Sequence, residues 1–203
     1  MSYLLRLGLV GLAMTGFLTF MLVSHAHKRA HGTEVIVAVE GYDPRDILLG
    51  HYSLLRISMA ELNGNEIPGG QEVDVGDLIY VHIAPDADGV WTAQHISTER
   101  QSDGVFLRGL VTSAYASDYE WVEVTNPETG EVELEYVESD VRHIRVDYRL
   151  NRYYASREMA LALDEILRDE SQTPRLILSV QRDGTAIIKG LEIAGERRLE
   201  RLW

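Results

Sequence analysis

Hydrophobic and polar positions follow two different rhythms along this chain. From Leu7 to Val23 the run LGLVGLAMTGFLTFMLV carries no charge. Tyr3, Leu4 and Leu5 extend it past Arg6, whose long side chain can snorkel to lipid headgroups. The stretch approaches the roughly 20 residues that a bilayer-spanning helix needs. Its scattered Gly and Thr are tolerated because a helix satisfies its own backbone hydrogen bonds. A cleaved signal peptide competes with this reading, since Ser24-His25-Ala26 has small residues at both key positions. The apolar run, however, exceeds an ordinary signal-peptide core of about 7–15 residues. The pattern predicts a retained anchor over residues 1–27 and one extramembrane domain over residues 28–203.

Beyond Gly32 the rhythm shifts to period two, the mark of strands with one buried face. Strands are predicted over Glu34–Glu40, His51–Ser58, Leu78–Ala84, Val90–Ser97, Val105–Tyr115, Tyr119–Thr125, Glu131–Glu138, Arg142–Tyr148, Arg175–Gln181 and Ala186–Ile193. Gly109 interrupts one of them and reads as a bulge. Pro85–Gly89 and Asn126–Gly130 read as hairpin turns, and Gly41–Pro44 as a turn. One amphipathic helix is expected from an N-cap at Ser156, with Met159, Leu163, Ile166 and Leu167 on one face. The expected fold is mainly β (α+β): one transmembrane helix, then a β-rich domain with one packed α-helix.

Charge narrows the possible partners. The 32 acidic residues outnumber the 19 basic ones, giving a net charge of −13. Nothing supplies the basic face that a nucleic-acid binder needs. Arg6 is the only charged side chain before Lys28, so every acidic residue lies beyond the anchor. Such a domain is repelled by anionic headgroups and should stand off the bilayer or dock on protein. The absence of cysteine excludes disulfides, thiolate metal sites and a cysteine nucleophile. Arg6 with the amino terminus on one side, and Lys28 with Arg29 on the other, leave orientation undecided by charge.

The stretch Tyr42-Asp-Pro-Arg-Asp-Ile-Leu-Leu-Gly-His-Tyr-Ser-Leu-Leu-Arg-Ile57 resembles the defining segment of the bacterial GDYXXLXY family. Gly50, Tyr52 and Leu55 match the motif, while His51 stands in place of its Asp and Ile57 in place of its final aromatic. Asp43, Pro44 and Arg45 correspond to the turn that leads into it. Similar features recur in Asn151-Arg-Tyr-Tyr154, Asp183-Gly184, Ile188-Lys-Gly-Leu-Glu-Ile193 and Leu202-Trp203. Ala155-Ser156-Arg157 departs from the family's Pro-Glu-Gly turn. The resemblance implies a membrane-anchored protein facing the periplasm, in the company of multi-spanning membrane proteins. It carries no chemistry. Physically, Pro44 fixes φ, Asp43 can bond turn amides and Gly50 opens the way into a strand, so the motif reads as scaffold.

Candidate chemistry is sparse. Asp86 and Asp88 before Gly89 echo part of a calcium loop but lack its later ligands. His82 and His95 could be cross-strand neighbours, a two-histidine seed that no carboxylate completes. His25, His27 and His31 sit in SHAHKRAH, read as a solvated linker at the membrane interface. No serine-hydrolase element and no nucleotide fingerprint appears. No catalytic residue, metal ligand or cofactor is assigned.

Two features suit a partner. Gly8, Gly11, Ala13, Thr15 and Gly16 permit close packing of a neighbouring transmembrane helix. Tyr115, Tyr119 and Trp121 lie close together beside acidic residues, with Tyr148, Tyr153 and Tyr154 as a second group; Tyr119 and Trp121 are the expected contact residues. The expectation is a non-enzymatic, single-pass inner-membrane subunit with a periplasmic domain, docking on a polytopic membrane protein. The alternatives are an envelope hydrolase with a hidden site, or a module binding a small ligand.

Overall fold

A 29-residue helix, α1 (Tyr3–His31), leads into twelve strands among the described residues. The computed structural model describes residues 3–40, 52–54, 56–125, 132–150, 152–154, 174–193 and 195–199. The large apolar side chains of α1 from Leu7 to Val23 are exposed. Its apolar stretch is long enough to cross a membrane, and it is the one such helix among the described residues. Ser24–His31, expected as a linker, instead continues the helix. Ala, Lys and Arg are good helix formers, and the polar turns carry the rod out of the apolar segment.

What ends the helix is tertiary. The Lys28 carbonyl accepts three bonds: from the Gly32 amide at 3.3 Å, the Ser179 hydroxyl at 2.9 Å and Gln181 Nε2 at 2.7 Å. Arg29 Nη2 adds a 2.6 Å bond to the Lys189 carbonyl. Helix ends leave carbonyls without intrahelical donors, and here a sheet supplies them. A Cβ at Gly32 would lie 2.2 Å from Ser179 Oγ, so glycine is required where helix meets sheet.

That sheet holds β1 (Thr33–Glu40), β3 (Arg56–Ile57), β10 (Arg175–Val180), β11 (Ala186–Ile193) and β12 (Glu196–Leu199), in the order β12-β11-β10-β1-β3. The second contains β4 (Glu61–Asn63), β5 (Leu78–Pro85), β6 (Trp91–Ser97), β7 (Val105–Thr125) and β8 (Val132–Asp147), in the order β4-β8-β7-β5-β6. The paired strands are antiparallel in both. A separate pair joins β2 (Tyr52–Leu54) to β9 (Arg152–Tyr154).

Alternation explains the layers. Val35, Val37 and Val39 of β1 and Leu176, Leu178 and Val180 of β10 share one buried cluster with Ile79, Val81 and Ile83 of β5, and Ile144 and Val146 of β8. Each fully buried Val, Leu or Ile contributes about 1.5–3 kcal/mol, which makes this two-sheet core the main source of stability. On the outer face of the first sheet, Glu34 bridges Lys189 and Arg197, and Glu192 bridges Arg175 and Arg197. The bond from Lys189, reinforced by Arg197, outweighs burial and holds the Glu34 carboxyl below the usual range.

Gly109 is not a bulge. It pairs in register with Ile79, and a Cβ there would lie 2.3 Å from Val146 and 3.0 Å from the Tyr148 ring. The glycine makes room for Tyr148, whose hydroxyl donates to the Met59 carbonyl at 3.0 Å. The bulges in β7 lie instead between Val111 and Ser113 and between Ser117 and Tyr119. Because these shifts leave the pairing intact, the two strands expected on either side of Ser117 are one, and so are the two expected around Asp140. The two sheets are also stitched at a corner, where the Arg108 amide donates to Gly184 at 2.8 Å. Gly184 has φ +79, and a side chain there would press on Phe106 and Arg108. The predicted helix after Ser156 and the turns at Gly41–Pro44 and Asn126–Gly130 lie outside the described residues.

Candidate interaction surface

Strands β7 and β8 outrun their neighbours. The pairing of β5 with β7 ends at Leu110, and that of β4 with β8 reaches only His143. From Ser117–Val141 to Thr125–Val132 the two strands pair with each other alone among the described residues. At the usual rise per residue, this arm projects about 30 Å.

The root of the arm is clamped. Gly64 N donates to the Arg142 carbonyl at 2.7 Å, and Asn65 bonds both the Asp140 carbonyl and the Arg142 amide. Arg142 Nη2 donates to the Val73 carbonyl at 2.7 Å and reaches Asp74 at 3.2 Å. Above the clamp the Ser117 hydroxyl closes the bulge by donating to the Tyr119 carbonyl. A bulge strengthens local twist and bends the strand, which re-aims the arm away from the sheet.

Along the arm, Tyr119 and Tyr136 stack with centroids 5.0 Å apart and planes 16° from parallel, and they are 50% and 55% exposed. Tyr115, 53% exposed, stacks on its register partner His143 at 5.3 Å. The backbone register pairs Trp121 with Tyr136 and Tyr119 with Glu138. Between Ser117 and Asp140 the sequence contains nine acidic residues and no basic one. An acidic ribbon carrying half-exposed rings combines aromatic area, which anchors protein contacts, with charge, which steers and selects a partner. The expected residues Tyr119 and Trp121 thus lie on one strand of it. Tyr136 and Glu138 were missed, because only the β7–β8 register brings them alongside; the basic-free run was the available signal.

The other candidates resolve as structure. His82 and His95 are direct cross-strand partners, with rings 4.0 Å apart and 9° from parallel. His82 is 6% exposed and its Nε2 has no hydrogen-bond partner. Burial, with the adjacent His95, pushes the His82 pKa down. At the Pro85–Gly89 turn, Asp86 Oδ1 accepts bonds from the Asp88 and Val90 amides at 2.9 and 2.8 Å, and Gly89 takes φ +75. That carboxylate is committed to the hairpin. Among the described residues, no group of three or more His, Asp or Glu side chains is placed to hold a metal ion.

A cleft of about 630 Å³ lies where α1 meets the turn between β10 and β11, lined by His27, Lys28, His31, Gln181, Arg182 and Asp183 among others. His27 and His31 stack at 4.0 Å on the last helical turns. Burial pushes the Asp183 carboxyl up, but two bonds from Thr185 and the charges of Arg108 and Lys28 outweigh it and leave the pKa lowered. Asp183 serves the turn.

Of the motif residues, Asp43, Pro44, Arg45, Gly50 and Leu55 lie outside the described residues. Tyr52 opens β2 and pairs with Tyr154, which agrees with a strand position. On α1, a Cβ at Gly8, Gly11 or Gly16 would meet nothing within 4 Å, so each glycine leaves backbone open to a neighbour.

Fold and surface together define a mainly β protein: a two-sheet sandwich with one N-terminal helix apolar and long enough to cross a membrane, and a projecting arm. The chain belongs to the GDYXXLXY family: the profile of the GDYXXLXY protein matches residues 14–191. No curated protein and no solved structure matches it.

Proposed function

We propose that this protein is a non-enzymatic accessory or assembly subunit, held in the inner membrane by α1, with its sandwich in the periplasm and docked on a polytopic membrane protein. The observation that carries this reading is the half-exposed Tyr119–Tyr136 stack on an arm that outruns its sheet. Tyrosine is among the residues enriched where proteins meet. The anchor supports the same reading, because Gly8, Gly11 and Gly16 allow a second helix to approach closely. Confinement of both partners to one bilayer raises their effective concentration, so the soluble contact can be modest.

Site-specific photo-crosslinking in intact cells tests this. A benzoylphenylalanine at Tyr119 and another at Gly11 should both capture the same polytopic protein, identified by mass spectrometry. A probe at exposed Ala87, in the turn between β5 and β6 at the end of β5 opposite the arm, should not. Capture by the Ala87 probe alone, or no polytopic product from either of the first two, contradicts the proposal.

A further inference from the structure

The charge of the arm specifies the chemistry of what docks on it. The sequence from Ser117 to Asp140 carries nine acidic residues and no basic one, and like charges on neighbouring strands repel. Among the described residues no second layer packs on this two-stranded ribbon; such a ribbon is at best marginally stable by itself, and mutual repulsion weakens it further. A cationic partner removes both penalties. A second arm from another copy would double the negative charge, and an anionic lipid surface would repel it.

We infer that the arm receives an arginine-rich extramembrane segment of the partner protein, with guanidinium groups laid on the Tyr119 and Tyr136 rings and paired with carboxylates such as Glu138. The inference rests on the docking role proposed above and names the chemistry of its contact. Three observations converge on arginine. The rings are half exposed and nearly parallel, so they present flat aromatic area to solvent. Glu138 stands directly opposite Tyr119 in the register and is itself exposed, which places a carboxylate beside that area. The sequence between Ser117 and Asp140 adds negative charge and no positive charge around them. A guanidinium is planar and weakly hydrated, so it stacks on a ring while its N–H groups pair with a carboxylate. An ammonium is a compact, strongly hydrated point charge that gains the field but little of the stacking.

The test uses the full chain in lipid nanodiscs and two fluorescein-labelled Gly-Ser peptides, one with four Arg and one with four Lys in the same positions. Fluorescence anisotropy should give the Arg peptide about fivefold tighter binding or better. Tyr119→Leu combined with Tyr136→Leu should bring the Arg peptide to the level of the Lys peptide. Phe at both positions should preserve the preference. Glu120→Gln, Glu123→Gln and Glu138→Gln together should weaken both peptides and flatten their salt dependence, and this arm of the experiment stands if the leucine variant fails to fold. Equal binding of the two peptides, or a preference that survives loss of both rings, overturns the inference. Neither peptide involves the native partner, so failure here removes the arginine chemistry alone, whereas failed capture of a polytopic protein removes the docking role.

Discussion

The sandwich and the arm are built from the same alternating β pattern, yet they differ in what faces them. In the sandwich, Leu178 and Ile79 come from different sheets and join one cluster, each with no exposed surface. In the arm, β7 and β8 continue to pair in register, but Tyr119 and Tyr136 remain half exposed. Backbone pairing is therefore not what distinguishes structure from surface in this molecule. A second layer is. The difference also separates two uses of polar groups, for buried Ser179 closes a helix end while the acidic residues of the arm lie in a run without counter-charge.

The largest expected effect breaks the sandwich and spares the arm. Leu178→Ala should cost about 3 kcal/mol, because the buried site loses transfer free energy and retains a cavity. Tyr119→Ala should change the global transition by less than about 1 kcal/mol. Urea denaturation of the two variants in the same detergent compares them directly. Similar losses would mean that the arm is part of the core.

A smaller effect concerns pH and the buried His82 ring of the second sheet. The pKa of folded His82 lies below the ordinary value of 6.5 that it regains on unfolding. The unfolded chain then binds more protons in the interval between the two values, and stability rises with pH there. Stability should be complete above about pH 7 and fall as pH drops through 6.5 toward the folded value, with no further loss from this group below it. His82→Gln should flatten that part of a melting-temperature profile. An unchanged slope would show that another group carries it.

The sequence made the sandwich legible where alternation ran for five or more residues, as at Val35–Val39 in β1 and Ile79–Ile83 in β5. It failed for β4, β9 and β12, which have four residues or fewer and too little pattern to read. Gly109 looked like a bulge because its reason, the Tyr148 ring, lies on another segment. The end of α1 was misplaced for the same kind of reason: its cap comes from Ser179 and Gln181, about 150 residues away. In the candidate surface, Tyr119 was recognisable by type and neighbours. Its exposure was not, since alternation alone does not reveal whether a second layer covers a face.

Excision of the arm separates folding from partner binding in a single protein. Residues 119–138 would be replaced by an Asn-Gly turn, which suits a two-residue hairpin, and both thermal unfolding and co-purification with the crosslinked polytopic partner would be measured on the same sample. The expected melting temperature lies within about 4 °C of that of the full chain, about what 1 kcal/mol produces in a domain of this size, together with loss of the partner. An unfolded protein, or a folded one that still brings the partner down undiminished, would contradict that expectation.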